Sequence, residues 1–104
     1  MFDSIKNLFG IATKPDYAEL IKNGAIILDV RSKGEFESGH IRGAVNIPVD
    51  QLRNNLNKLK DKNIPIITCC ASGMRSAAAK TLLKANGYST VHNGGGWSSL
   101  QRRL

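Results

Sequence analysis

After Asp61 the chain has no acidic residue. From Lys62 to Leu104 it carries Lys62, Arg75, Lys80, Lys84, Arg102 and Arg103 and not one Asp or Glu, in a protein of formal net charge +7. A field of one sign raises the local concentration of anions. Aromatic residues are scarce as well, at 6% of the chain, and the basic residues are dispersed rather than gathered in a stripe with aromatics between them. Nucleic-acid binding needs that arrangement, so a small anionic partner is the expectation instead. No apolar run approaches the length of a bilayer-spanning helix. The opening "MFDSIKNLFGIATK" is interrupted by Asp3, Lys6 and Asn7 and offers no small-residue cleavage site, which argues against a secretory signal.

Only two cysteines occur, Cys69 and Cys70, and they are adjacent. Neighbouring Cα atoms lie about 3.8 Å apart, under the usual disulfide window of roughly 4.4–6.8 Å. A bridge between them would demand a distorted peptide and is not expected as a structural staple, and a secreted domain of this size would often carry spaced cysteines. With His40 and His92 the pair offers no C-x-x-C or H-x-x-x-H spacing, so no metal site is expected. The expectation is a cytoplasmic protein with no metal, no cofactor, and neither nucleic acid nor membrane as a partner.

What is present fits a single domain of 104 residues. Phe2, Ile5 and Phe9 recur at helical spacing, which marks residues 1–10 as an amphipathic extension ahead of a body at 11–104. Pro15 followed by "DYAELIKNG" predicts a helix with Tyr17, Leu20 and Ile21 inward and Gly24 as its stop. "AIILDV" (25–30) and "IPIITC" (64–69) are continuous apolar runs of β-formers, the pattern of strands buried on both faces. "AVNI" (44–47) and "STVH" (89–92) predict shorter strands. Val49, Leu52, Leu56 and Leu59 predict an amphipathic helix between them. Residues 75–86 predict another, in which Ala77, Ala78 and Ala79 permit close approach to a sheet and Gly87 ends the helix. "NGGGW" is expected as a loop before a short polar helix. Alternating strands and helices imply an α/β layer fold with a largely parallel sheet. Such sheets form sites at the carboxyl ends of their strands.

Cys70 stands at one of those ends. Between it and the helix near Arg75 the backbone must wrap tightly. Gly73 supplies the unusual dihedrals, and Ala71 and Ser72 are small enough for close approach to a ligand. Backbone N–H groups of residues 71–75 then lack strand or helix partners and can converge as an anion cradle. Such donors, with the positive end of the following helix, favour the nucleophilic thiolate. Strand geometry sends Cys69 to the opposite face, so Cys69 is expected as a buried structural thiol.

The stretches "DVRSKGEFESGHIRGAVNIP" (29–48) and "CASGMRS" (70–76), with "GGGW" (94–97), resemble the signature, active-site loop and C-terminal glycine–tryptophan element of the rhodanese, or sulfurtransferase, family. The resemblance implies a three-layer α/β/α sandwich around a five-stranded, mainly parallel sheet. It implies transfer of a sulfane sulfur from a small anionic donor such as thiosulfate, through a Cys70 persulfide, to cyanide, a thiol or a protein thiol. Carried over, Cys70 is the nucleophile, the loop Ala71, Ser72, Gly73 and Met74 binds substrate, and Arg75 closes the loop. Arg31 and Trp97 are implied near the substrate, with Asp29 beside Arg31. Glu35, His40 and Asn46 read as scaffold, and Gly39 and Gly43 as turn residues. Many members carry arginine or lysine directly after the cysteine where this chain has Ala71, which points to polysulfide or a protein persulfide over thiosulfate as donor.

Two other readings remain open at this stage. A phosphatase or arsenate reductase also uses a cysteine–arginine loop, but with five intervening residues where this chain has four. One residue fewer removes up to about 3.3–3.6 Å of contour and one amide donor, which suits a single sulfur better than a tetrahedral phosphate. A catalytically silent module with a binding or regulatory role is the alternative of a different class. Loss of the cysteine would be its clearest sign, and Cys70, Gly73 and Arg75 are all present.

Overall fold

"AIILDV" and "IPIITC" lie side by side at the centre of the computed structural model, which describes residues 15–104. The expected amphipathic extension at 1–10 lies outside the described residues. In chain order the elements are α1 (Tyr17–Lys22), β1 (Ile26–Asp29), α2 (Lys33–Ser38), β2 (Val45–Asn46), a 3-10 segment (Val49–Lys58), β3 (Ile66–Cys70), α3 (Met74–Ala85), β4 (Val91–Gly96) and α4 (Trp97–Gln101). Among the described residues the sheet has four strands in the order β2-β1-β3-β4, where the resemblance implied five. All neighbouring pairs are parallel.

Side chains alternate across the sheet. Leu28, Ile66 and Cys70 join Leu52, Ala79 and Leu83 in one core, under the 3-10 segment and α3. Ile27, Ile67 and Cys69 join Tyr17, Ile41 and Leu100 in the other, under α1 and α4. Helical cover on both faces is why the two central strands are mostly apolar, with Asp29 and Thr68 as their buried polar members. Ala79 is fully buried and carries only a methyl, which lets α3 lie close to the sheet.

Two elements differ from expectation. The run holding Leu52 and Leu56 is a 3-10 segment interrupted at Asn55 (φ −127°, ψ 22°) and not a regular α-helix. The Asn55 side-chain amide donates to the Gln51 carbonyl at 2.7 Å, the acceptor that an α-helical N–H at 55 would use. The second difference is that "NGGG" continues β4 instead of forming a loop. The strand can run on because its glycines fit where side chains cannot. A Cβ on Gly94 would meet the Thr68 carbonyl oxygen at 2.9 Å, and one on Gly96 the Ala71 carbonyl oxygen at 2.9 Å. The register between β3 and β4 shifts between Thr68 and Cys70, so that Cys70 comes level with Gly96.

Candidate active site

β3 delivers Cys70 to the sheet's carboxyl edge, and α3 starts four residues later. Gly73, at φ +104°, is the N-cap of α3 and offers no side chain to satisfy the helix's first donors. Those donors turn to the cysteine instead. The Gly73 N–H reaches Cys70 Sγ at 3.0 Å and the Ser76 N–H reaches it at 3.3 Å. The Ser76 hydroxyl lies 3.4 Å from the same sulfur. Burial opposes ionisation of Cys70, yet the Ser76 hydroxyl and the amides of Ser76, Gly73 and Ser72 outweigh it and bring the thiol below its ordinary range. Cys69 behaves oppositely: burial, and next the nearby Asp29, push it up to about 12. One of two adjacent thiols is therefore poised to ionise, and the other stays protonated.

The donors to the sulfur extend one residue beyond the amides expected at 71–75, to Ser76, the last residue of the "CASGMRS" stretch. Ala71, Ser72 and Met74 are exposed at its rim, and Met74 is 81% exposed. Cys70 itself is only 1% exposed, at the floor. Arg75 makes a bidentate pair with Glu35, at 2.7 and 3.0 Å. A cleft of about 750 Å³ beside the loop is lined by Lys33, Phe36, Pro48, Val49 and Arg75 among others.

Arg31, expected near the substrate, is engaged by other partners. It is 4% exposed and its guanidinium holds the buried Asp29 carboxylate at 2.7 Å, with further bonds to the Glu35 and Gly39 carbonyls. A buried carboxylate needs such a partner, and that requirement takes up the arginine's donors. Trp97, expected at the pocket rim, stacks on Arg31 at 4.7 Å and lies against Gly39. His40 bonds the Phe36 carbonyl at 2.7 Å and stacks on the Phe36 ring. Asn46 ties the Asp29 and Arg31 carbonyls together.

Two residues of the site have no separate role legible in the sequence. Ser76 is fully buried between Cys70 and β4, and Asn93 on β4 holds it at 2.6 Å. For Ser76 the available signal was a hydroxyl in the first turn of the helix after the cysteine. For Asn93 there was none, because its place depends on the register shift of β4.

Against known proteins, a family model described as the rhodanese-like domain matches residues 13–103. The chain belongs to the rhodanese-like family. It is 39% identical over 69 residues to the Bacillus subtilis protein YqhL, a match covering 66% of this chain and 54% of that one. It is 34% identical over 70 residues to PspE of Escherichia coli, named a thiosulfate sulfurtransferase, covering 66% of this chain and 67% of PspE. Among solved structures the human single-domain sulfurtransferase TSTD1 superposes with a TM-score of 0.75 at 27% identity, covering 89% of this chain and 96% of that one. This rhodanese-like domain thus shares its α/β fold with proteins named as sulfur-transfer enzymes. No helix among its described residues is long and apolar enough to cross a membrane.

Proposed function

We propose that this rhodanese-like protein is a sulfurtransferase that carries a sulfane sulfur on Cys70. The observation behind the reading is the convergence of the Gly73 and Ser76 amides on Cys70 Sγ at the N-terminus of the 12-residue α3. Amide donors and the helix end both favour negative charge there. The thiolate attacks the donor's outer sulfur; a sulfur–sulfur bond forms at Cys70 as the donor's own breaks, and the electron pair leaves with the donor fragment, sulfite in the case of thiosulfate. A thiolate or cyanide acceptor then attacks the outer sulfur. The pair of the breaking bond returns to Cys70 as thiolate, and with cyanide the product is thiocyanate.

Polysulfide or a protein persulfide is the preferred donor in this reading. Ala71 brings no cation to the loop, and the Arg75 charge is already matched by Glu35. The adjoining cleft would take the body of a thiol acceptor. One observation favours a binding role without turnover, the 1% exposure of Cys70.

Intact-mass measurement after incubation with each donor class separates the two. Gain of one sulfur atom at Cys70, removed by cyanide, is the expected result. No adduct with thiosulfate, polysulfide or a persulfidated protein would leave only the binding role.

A further inference from the structure

The Ser76 hydroxyl owns one proton and has three acceptors around it. Asn93 Oδ1 lies at 2.6 Å, the Gly73 carbonyl at 3.0 Å and Cys70 Sγ at 3.4 Å. When Cys70 is a thiol its S–H points at the Ser76 oxygen, and the serine proton is free to rest on Asn93. When Cys70 is a thiolate, it can only accept, and the hydroxyl gains most by turning to it, because a bond to an ionised acceptor is roughly twice as strong as a neutral one. Asn93 can release that proton without becoming an orphan, since its Oδ1 also accepts the Gly95 N–H at 2.9 Å. Its amide is fixed to the Gly73 carbonyl at 3.2 Å, which keeps the oxygen aimed at Ser76.

We propose that Ser76, held by Asn93, is a switching hydrogen-bond donor that stabilises the Cys70 sulfur whenever it bears charge, first as nucleophile and again as leaving group. The inference rests on Cys70 being the sulfur carrier. Ser76 contacts Sγ itself, so it acts at both ends of the cycle, where that atom bears the charge. Ser76 is thus a catalytic residue and Asn93 a positioning residue. Other charged groups near Cys70 do not switch: Arg75 is paired with Glu35, and Arg31 with Asp29. The Cys69 thiol, pushed up to about 12, stays protonated through the neutral range.

The test is the pH profile of Cys70 alkylation by iodoacetamide, which needs no sulfur donor. Ser76→Ala keeps the backbone N–H that bonds Sγ and removes only the hydroxyl. Its midpoint moves up, and alkylation at neutral pH slows by about tenfold, the effect of losing one charge-assisted bond. An unmoved midpoint overturns the proposal. Asn93→Ala frees Ser76 from the position in which it meets the sulfur, so its midpoint moves up, by less than in Ser76→Ala; an unmoved or lowered midpoint overturns the assignment of Asn93. Should Ser76→Ala fail to fold, Asn93→Ala reads the same network from its other end. Sulfur uptake by the unaltered protein is measured separately by mass, so failure of the carrier reading and failure of the switch are told apart.

Discussion

Glu35 and Arg75, 40 residues apart in sequence, meet in a two-point ion pair at 2.7 and 3.0 Å. Glu35 also completes a capping box with Ser32 at the start of α2. One carboxylate thus ties the first turn of α2 to the first turn of α3, the turn whose amides face Cys70. The bonds from Arg75, and then those from Ser32, lower the Glu35 carboxyl to about 2. A depressed carboxyl contributes stability that is present above its ordinary value of 4.5 and fades as pH falls through about 2. Glu35→Gln should therefore lower the melting temperature at pH 6 and make little difference at pH 2. An equal deficit at both values would show that the pair contributes nothing through charge. Arg75→Ala should slow sulfur uptake by freeing the loop, and uptake at the normal rate would show that the amides alone hold it.

The two thiols should separate cleanly. At pH 8, limited alkylation should label Cys70 and spare Cys69, which burial keeps protonated. Cys70→Ser should abolish sulfur uptake while the far-ultraviolet dichroism and melting stay near those of the unaltered protein. Cys69→Ala leaves a small void in the core beside Ile67 and Leu100 and should cost about 1–2 kcal/mol by denaturant titration with uptake retained. A folded but inactive Cys69 variant would reverse the roles given to the two residues.

The Asp29–Arg31 pair tests the other reassignment. Arg31→Ala strands a fully buried carboxylate and should destabilise the fold by about 3–5 kcal/mol. Arg31→Lys should recover only part of that, because a single ammonium cannot satisfy Asp29 and two carbonyls in the plane a guanidinium spans. In any Arg31 variant that stays folded, the KM for the sulfur donor should be unchanged. A raised KM with normal stability would return Arg31 to the substrate.

Local sequence pattern carries some of these features and not others. The central strands were legible because burial on both faces leaves a mostly apolar run, and Cys70 was legible because a strand end, a glycine and a helix start stand next to one another in the chain. Arg31 was not, since an arginine beside a site and an arginine under a sheet look alike until Asp29 is seen to be buried. Ser76 and Asn93 were hidden for a different reason. Their meeting depends on how far β4 slides past β3, which three glycines permit and no local pattern announces.

Gly96 isolates that sliding contact. Its φ of −67° suits any residue, so alanine there meets no backbone strain, and the whole effect comes from the new methyl. That methyl would lie 2.9 Å from the Ala71 carbonyl oxygen, inside normal contact distance and against backbone that cannot rotate aside. Either β4 or the cysteine loop must shift. Gly96→Ala should cost about 1–3 kcal/mol, as overpacking does, and slow Cys70 alkylation because the amides of Gly73 and Ser76 move with the loop. Gly34, inside α2 with open space around it, is the control: Gly34→Ala should stabilise by about 0.5–1 kcal/mol and leave Cys70 unchanged. If Gly96→Ala loses stability yet alkylates at the normal rate, β4 has yielded instead of the loop, and the sulfur cradle is stiffer than the strand that closes it.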